Sequence, residues 1–379
     1  MHYRIGVIGA TGYIGVPYRS EIRAAAQDAQ IVALCARRRD RLEIAAREDG
    51  ATLVTDDWRQ VVEHPEINLV LVLTPDALHY EPVMACAELG KHVLCEKPVG
   101  KDVAQAQAMW QAASEHGIAS YVPYWNRYVP IFQRAREIVA SGKLGEVRAV
   151  VYRWQNPRPI GMPFTWRDDA EQSAAGSIAD VGSHAYDMLR FILGQEATRV
   201  LTHADVLMPA KPDLGQIDLT EALDAGRADS GQQAADQQAA DQQAAGQRRG
   251  SVPDYAQIAI EFPNGAVGSI LLSHAGYLRK VFAPELELHG TLGSISVDRI
   301  RQQIWFADSP DPATLLEEVA DDGCCNRFET HVFPALEGQL QGAGKGEHPD
   351  LADGLAVQKF TDAAYTSSQQ GVWVAVNAD

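Results

Sequence analysis

A glycine-rich turn directly after the first apolar run constrains this chain more than any other feature. Residues 3–8 read as a buried strand, and Gly9-Ala10-Thr11-Gly12-Tyr13-Ile14-Gly15 follows at once. A tight turn between a buried strand and a helix needs positions without a Cβ, and its backbone amides, together with the helix N-terminus, can receive a pyrophosphate. The spacing G-x-x-G-x-x-G is one residue looser than the common G-x-G-x-x-G. We therefore predict a dinucleotide-binding turn with contacts from Gly9, Thr11, Gly12, Tyr13 and Ile14.

The pattern after the turn alternates short apolar runs with helical segments. We predict strands at 3–8, 31–35, 69–73, 92–95 and 119–122, and helices at 38–48, 80–89 and 103–115. The strands are apolar throughout, which is typical of parallel strands buried on both faces. Strand–helix–strand repetition indicates βαβ units and an open parallel sheet. Residues 1–122 are therefore predicted to form an α/β Rossmann domain.

Beyond residue 122 the pattern changes, and from residue 199 onward several strand candidates follow one another without a helix predicted between them. The strand candidates of this part lie at 145–154, 199–206, 255–262, 266–274, 285–289, 294–297 and 303–306, and helices are predicted at 130–141, 181–193, 328–340 and 351–368. Pro263-Asn264-Gly265 favours a hairpin turn. Consecutive strands indicate an antiparallel sheet, so residues 123–379 are predicted to form an α+β domain with a large, mostly antiparallel open sheet.

A repeat of Gln, Ala and Asp interrupts this second domain at 231–247. Its side chains are too small and polar to offset the entropy of ordering, although Ala and Gln also allow a transient helix. We predict that residues 211–253 are a low-complexity loop insertion, flexible in solution.

Composition excludes several classes of partner. The formal net charge is -17, which argues against nucleic-acid and membrane binding because phosphate groups would be repelled. The five cysteines have neither disulfide-framework nor C-x-x-C spacing, so no metal site is expected. No signal peptide and no apolar run of membrane-spanning length is visible. We expect a reduced, cytoplasmic setting.

The second strand ends in Cys35-Ala36-Arg37-Arg38-Arg39, where an NAD-binding domain usually carries an acidic residue for the ribose 2′-hydroxyl. An arginine instead can pair with a 2′-phosphate. Arg37 and Arg38 therefore favour NADP over NAD. The alternative is that these arginines only form the exposed first turn of the next helix.

Two further segments carry candidate catalytic side chains. Cys95-Glu96-Lys97-Pro98 ends the fourth predicted strand, at the edge where ligands of such sheets bind. In Asp180-Val181-Gly182-Ser183-His184, a helix would place the carboxylate and the imidazole on one face. A histidine that titrates near neutral pH can serve as a general base.

These motifs resemble the glucose–fructose oxidoreductase, inositol dehydrogenase and rhizopine-catabolism (Gfo/Idh/MocA) family of NAD(P)-dependent oxidoreductases, over nearly the whole chain. Thr74-Pro75 with His79, Trp166-Arg167, Gly176 and Asp187 belong to the resemblance, as do Phe262-Pro263-Asn264-Gly265 and His289-Gly290-Thr291. It implies hydride transfer between a nicotinamide cofactor and a cyclic polyol, sugar or sugar derivative. It also implies a homodimer or homotetramer assembled through the open face of the C-terminal sheet.

The resemblance assigns roles to individual residues. Lys97 would bind the reacting oxygen and relay protons, Asp180 would hold a substrate hydroxyl, and His184 would take its proton. Thr74, Pro75, His79 and Glu96 would belong to the cofactor site, and Asn126, Arg127 and Trp166 are candidates for the sugar pocket.

The chain departs from the family pattern at three places. They are the looser glycine turn, Ala174-Ala175-Gly176 in place of three glycines, and Asp76 in place of the usual Asn. Two other functions stay open at this point: an NAD-dependent glycosidase that oxidises its substrate transiently, and a non-catalytic dinucleotide-binding sensor.

Overall fold

The computed structural model describes residues 2–25, 29–215, 217–228, 246–280, 283–321, 323, 325–342 and 348–377. Contacts between Cα atoms divide the chain into two compact units. The first comprises Met1–Pro123, Asp218–Thr220 and Cys324–Gln358, and the second comprises Tyr124–Ile217, Glu221–Gly323 and Lys359–Asp379. The predicted domain boundary at 122/123 is close to the point where the chain passes from the first unit to the second, after Pro123. Residues 324–358, however, group with the first unit.

The first unit contains a six-stranded parallel sheet in the order β3-β2-β1-β4-β5-β6. Its strands are β1 (Tyr3–Ile8), β2 (Ala29–Cys35), β3 (Leu53–Thr55), β4 (Leu69–Val72), β5 (His92–Cys95) and β6 (Ser120–Tyr121). All four residues of β4 are buried, as a strand covered on both faces requires. Because the strand order reverses next to β1, the carboxyl ends of β1 and β4 flank the point where such sheets bind ligands. The predicted parallel Rossmann sheet is confirmed.

Five helices connect these strands. They are α1 (Gly15–Ala24), α2 (Arg39–Asp49), α3 (Trp58–Val62), α4 (Tyr80–Glu88) and α5 (Val103–Glu115). Asp57 and Asp102 cap α3 and α5, each accepting a hydrogen bond from a backbone amide of the first turn.

The second unit contains a nine-stranded mixed sheet in the order β16-β15-β14-β13-β7-β12-β11-β8-β17. Its strands are β7 (Val147–Gln155), β8 (Arg199–Asp205), β11 (Tyr255–Glu261), β12 (Val267–Ser273), β13 (Leu286–Gly290), β14 (Ser294–Asp298), β15 (Gln303–Ala307), β16 (Thr314–Glu318) and β17 (Val374–Ala375). Every described pairing is antiparallel except that between β7 and β12, which run parallel. The predicted large, mostly antiparallel sheet is confirmed, and the parallel pair is a feature that the sequence did not indicate.

The remaining α-helices of the described residues are α6 (Pro130–Ala140), the single-turn α7 (Ser177–Asp180), α8 (Gly182–Leu193), α9 (Leu219–Ala228), α10 (Phe333–Leu340) and α11 (Leu351–Gln370). Phe328–Val332 is a π-helical turn that leads into α10. Helices α6 and α8 pack against the nine-stranded sheet. The aromatic rings of Tyr186 on α8 and Phe360 on α11 stack at 3.8 Å between centroids.

The segment 211–253 contains regular structure at both ends. Strand β9 (Lys211–Asp213) pairs antiparallel with β10 (Gly246–Arg248), and α9 lies between them in the chain. Most of the Gln/Ala/Asp repeat, 229–245, lies outside the described residues.

None of the helices in the described ranges combines the length and the apolar character that a membrane crossing requires. Across those same ranges, no group of three or more His, Cys, Asp or Glu side chains is arranged to hold a metal ion.

Candidate active site

The glycine turn has the geometry of a phosphate cradle. Gly9 has φ +87°, and a Cβ there would lie 2.5 Å from the carbonyl oxygen of Leu73, at the end of β4. A Cβ on Gly15 would lie 2.5 Å from the carbonyl of Gly9, whereas one on Gly12 would meet only that carbonyl, at 3.4 Å. Gly9 and Gly15 are therefore required by packing within the chain. Gly12 is not, so its lack of a side chain leaves space for a ligand.

Some backbone amides of this turn donate hydrogen bonds to carbonyls of the chain, and others do not. Gly9 and Ala10 donate to the carbonyl of Cys35 at 2.9 and 3.1 Å, and Gly12 donates to Gly9 at 3.1 Å. In the described structure, the amides of Thr11, Tyr13 and Ile14 donate to no carbonyl. Backbone donors in such a turn, next to the N-terminus of α1, suit a pyrophosphate. A nicotinamide dinucleotide therefore fits this part of the chain.

The arginines after β2 differ in their surroundings. Arg37 is exposed, Arg38 is half-buried and precedes the first residue of α2, and Arg39 pairs with Glu43 at 2.9 Å. Arg39 is thus part of the exposed surface of α2, so the alternative interpretation describes this one of the three arginines. Arg37 takes part in no hydrogen bond or ion pair with the described residues.

The segment after β4 holds a buried hydroxyl and a buried imidazole. The Oγ1 atom of Thr74 is buried and has no hydrogen-bond partner among the described residues. His79 is fully buried, and its two ring nitrogens lie 2.8 Å from the carbonyl of Thr74 and 2.9 Å from that of Pro98. His79 therefore braces the Thr74-Pro75 turn against the turn after β5. Thr74 supplies the polar group of this segment that a ligand can satisfy.

The segment after β5 is fixed by a second set of contacts. Glu96 is buried, and it accepts hydrogen bonds from the Tyr18 hydroxyl at 2.7 Å and from the backbone amide of Lys97 at 3.2 Å. The peptide between Lys97 and Pro98 is cis. Lys97 is half-buried at the carboxyl edge of the parallel sheet. Tyr18, on α1, was not singled out from the sequence.

In the second unit, Asp180 lies among three cationic or polar side chains. Its Oδ2 atom accepts a hydrogen bond from Arg158 at 3.0 Å, lies 3.0 Å from Nε2 of His274, and lies 3.7 Å from Nε of Arg167. Burial, followed by the charge of Arg158, holds the pKa of His274 below its ordinary value. The helix predicted at 181–193 is present as α8 from Gly182, but Asp180 ends the separate short helix α7, so Asp180 and His184 do not share one helix.

His184, in the first turn of α8, is surrounded by aromatic rings. Its imidazole stacks on Trp154 with 5.5 Å between centroids, and Tyr124 meets it edge-on at 6.1 Å. Gly176, which precedes α7, has φ +55°, and a Cβ there would lie 2.3 Å from the carbonyl of Pro253. Of the Ala174-Ala175-Gly176 segment, only the last position has this geometry, so alanines fit at the first two.

The three sugar-pocket candidates have different environments. Arg127 is buried and binds both carboxylate oxygens of Asp187, with Nε donating at 2.9 Å. Asn126 is buried, and its Oδ1 accepts from Arg299 at 3.3 Å. Trp166 is half-buried, with the Arg167 guanidinium 4.3 Å from its ring centroid. Arg127 thus holds α8 through Asp187. Arg167, which lies over the Trp166 ring, is instead a neighbour of Asp180.

The 211–253 insertion braces the turn that carries Trp166. Lys211 of β9 forms a buried ion pair with Asp168 at 2.7 Å, and Arg248 of β10 pairs with Asp169 at 2.9 Å. Burial opposes ionisation of Asp168, but the charges of Lys211 and Arg158 outweigh it and hold the pKa of this carboxyl below its ordinary value. The two ends of the insertion are therefore part of the structure around Asp180.

Arg158 and His274 are the site residues that sequence reasoning missed. They follow the ends of β7 and β12, and because these strands are parallel neighbours, both side chains come from the same edge of the sheet. A signal was present in Asn156-Pro157-Arg158-Pro159, where two prolines fix the backbone around one arginine.

Comparison with known proteins identifies the family to which this chain is similar. A model described as "Oxidoreductase family, NAD-binding Rossmann fold" matches residues 3–124, and one described as "GFO/IDH/MocA C-terminal domain" matches residues 132–296. Similar proteins include levoglucosan dehydrogenase of Pseudarthrobacter phenanthrenivorans, 27% identical over 88% of this chain and 86% of that protein. The myo-inositol 2-dehydrogenase of Thermotoga maritima is 26% identical over 92% of this chain and 90% of its own length.

Solved structures show the same architecture. An oxidoreductase domain protein from Kribbella flavida superposes with a TM-score of 0.80 at 26% identity, and the match covers 100% of both chains. A levoglucosan dehydrogenase in complex with NADH superposes with a TM-score of 0.79 at 22% identity, again over 100% of both chains. With both family models covering most of the sequence and both sheets in place, the chain belongs to the GFO/IDH/MocA family of oxidoreductases.

Proposed function

We propose that this protein is an NAD(P)-dependent dehydrogenase or reductase that acts on a hydroxyl or carbonyl carbon of a cyclic polyol, sugar or sugar derivative. The observation that carries the proposal is the surroundings of Asp180. A carboxylate held by Arg158 at 3.0 Å and followed four residues later by His184, in the first turn of α8, suits a hydroxyl-binding acceptor beside a proton acceptor. Relatives that act on levoglucosan and on myo-inositol support the class of substrate.

Asp180, His184 and Lys97 have separate roles in orienting the substrate hydroxyl and moving its proton. Asp180 accepts a hydrogen bond from a substrate hydroxyl and orients it. His184 takes the hydroxyl proton on a ring nitrogen as the carbonyl forms, and its aromatic neighbours exclude water from one face of the ring. Lys97 donates a hydrogen bond from Nζ to the reacting oxygen and stabilises developing negative charge. A bound nicotinamide supplies the hydride acceptor, held by the turn at Gly9–Gly15 and by Thr74.

The cofactor is NADP in preference to NAD. Support comes from Ala36 at the position where an acidic residue usually binds the ribose, and from the exposed guanidinium of Arg37. We further infer assembly as a homodimer or homotetramer through the outer face of the nine-stranded sheet, where Val267 of β12 is 53% exposed.

The test is turnover of NADP and NAD against a panel of polyols, sugars and glycosides, followed by nicotinamide absorbance, with wild type and Lys97→Met. Wild type should turn over at least one member. Lys97→Met should lose roughly 100-fold or more in kcat because the donor to the reacting oxygen is gone, and it should still bind cofactor. Lys101→Met, four residues further on, is the matched control and should behave as wild type.

Three results would contradict the proposal. One is full turnover by Lys97→Met. Another is cleavage of a glycoside without net change of cofactor, which is the behaviour of a glycosidase that oxidises transiently. The third is cofactor binding without chemistry on any panel member, which is the behaviour of a sensor.

A further inference from the structure

Asp180 is held by two side chains that come from neighbouring parallel strands. Arg158 donates from its terminal guanidinium nitrogen to Asp180 Oδ2 at 3.0 Å, and Nε2 of His274 lies 3.0 Å from the same oxygen. The side chains of Arg158 and His274 are only 9% and 5% exposed, whereas that of Asp180 is 23% exposed. The Asp180 carboxylate is therefore partly exposed to solvent, whereas the two side chains that hold it are buried.

The backbone around Arg158 and His274 is held by hydrogen bonds and by prolines. Beyond the ends of β7 and β12 the pairing continues, because the amide of Asn156 donates to Ser273 at 2.8 Å and the amide of Arg158 donates to the carbonyl of His274 at 2.9 Å. Pro157 and Pro159 flank Arg158 and restrict its backbone. The amide of His274 donates in turn to the carbonyl of Asp254 at 2.7 Å. The two side chains thus have little freedom to move apart.

The contacts also fix the charges. Arg158 is a permanent cation, and it faces Asp180, Arg167, Asp168 and Asp254. Burial and the charge of Arg158 hold the pKa of His274 below its ordinary value, and its Nε2 atom lies 3.0 Å from the carboxylate oxygen. The Asp180 Oδ2 atom therefore has the Arg158 guanidinium and the His274 ring within 3.0 Å, with Arg167 as a second cation 3.7 Å away. Neighbouring cations favour the ionised form of a carboxylate, and the hydrogen bond from Arg158 fixes its orientation.

We infer that Arg158 and His274 are positioning residues, which orient the Asp180 carboxylate and keep it ionised so that it can accept a hydrogen bond from the substrate hydroxyl. The inference rests on the proposed function. It adds that the acceptor is held by two residues that follow the parallel strands β7 and β12, and that neither residue needs to touch the substrate. Truncation should then affect the chemical step more than the binding of cofactor.

The experiment compares Arg158→Met and His274→Leu with Arg158→Lys and His274→Gln, using the panel substrate that wild type turns over. Each truncation should lower kcat at least tenfold, with the KM for the cofactor and the thermal midpoint near wild type. The conservative variants should recover most of the loss, because Lys keeps the charge and Gln keeps a donor near the Nε2 position. Arg153→Met, on β7, removes an ion pair with Glu287 of the neighbouring strand β13 and serves as the control, with unchanged kcat.

A pH profile separates positioning from a structural role. Without Arg158, Asp180 is protonated more easily, so activity should begin to fall at a higher pH on the acidic side than in wild type. Arg167 and the pair of Asp168 with Lys211 remain in both proteins. Because Arg158 also lowers the pKa of His274, the same comparison in the His274→Leu background isolates the effect on Asp180. A merely destabilised protein would lose activity without this shift.

The outcomes are distinguishable. An active wild type with truncations that keep full kcat and an unshifted profile would overturn the inference and leave the proposed function intact. A loss that neither conservative variant recovers would also overturn it, since a positioning role requires recovery by charge or donor. A wild type that turns over no panel member would overturn the proposed function and the inference together.

Discussion

Arg37 is the residue on which we propose that the preference for NADP depends. It is exposed at the carboxyl end of β2, and its guanidinium pairs with no described acidic side chain. If the 2′-phosphate of NADP binds here, reversing this charge replaces an attraction with a repulsion. Arg37→Asp should therefore lower the ratio of NADP to NAD efficiency, kcat/KM for each cofactor, by about tenfold or more. Steady-state kinetics with both cofactors measures the ratio.

The control for this prediction is Arg47→Asp. It makes the same change of charge at an exposed position in the last turn of α2, ten residues from Arg37. A general loss of positive potential would lower NADP efficiency in both variants, whereas a specific contact would do so only at Arg37. Equal ratios in Arg37→Asp and wild type would show that the phosphate site lies elsewhere or that the cofactor is NAD.

At the scale of the element, the β1–α1 turn separates glycines that the fold needs from Gly12, which we propose is needed by the cofactor. Gly9→Ala would bring a Cβ to 2.5 Å from the Leu73 carbonyl at a positive φ, so it should lower the free energy of unfolding by at least about 2 kcal/mol. Gly12→Ala meets only one atom, at 3.4 Å, and should leave that free energy within about 0.5 kcal/mol. The added methyl group should instead weaken cofactor binding, because it occupies the approach to the open amides. Denaturant unfolding and titration of cofactor fluorescence provide the two measurements, and tight binding by Gly12→Ala would remove this turn from the cofactor site.

Elements also show what the sequence could and could not predict. Strand β1 and helix α5 have the predicted bounds, because long apolar or periodic runs with clear turn residues leave little choice. Strand β3, only Leu53–Thr55, and strand β16, with mostly exposed or half-buried side chains, carry too little pattern to be recognised. Arg158 and His274 were missed for a different reason. Sequence order suggested antiparallel neighbours, and only the β7–β12 register shows that the two residues share an edge.

At the scale of the whole molecule, the cysteines divide into buried and exposed classes. Cys35, Cys86 and Cys95 are buried in the first unit, and Cys325 is exposed. Burial raises the pKa of each of the three buried thiols. A raised pKa leaves less thiolate at any given pH, and the thiolate is the reactive form. Near pH 8 these three thiols should therefore react only when the first unit opens, whereas Cys325 should react at once.

Ligand linkage turns these thiols into a reporter of cofactor binding by the first unit. A cofactor present at about 100 times its dissociation constant stabilises the folded state by roughly 2.7 kcal/mol, which corresponds to about a hundredfold smaller open population. Alkylation of Cys35, Cys86 and Cys95, followed by peptide mass spectrometry, should slow by up to that factor with cofactor, whereas Cys325 should keep its rate. Cys325→Ser verifies the assignment of the fast site. Modification of the buried thiols at the same rate with and without saturating cofactor would mean that the dinucleotide does not bind the unit built on the six-stranded sheet.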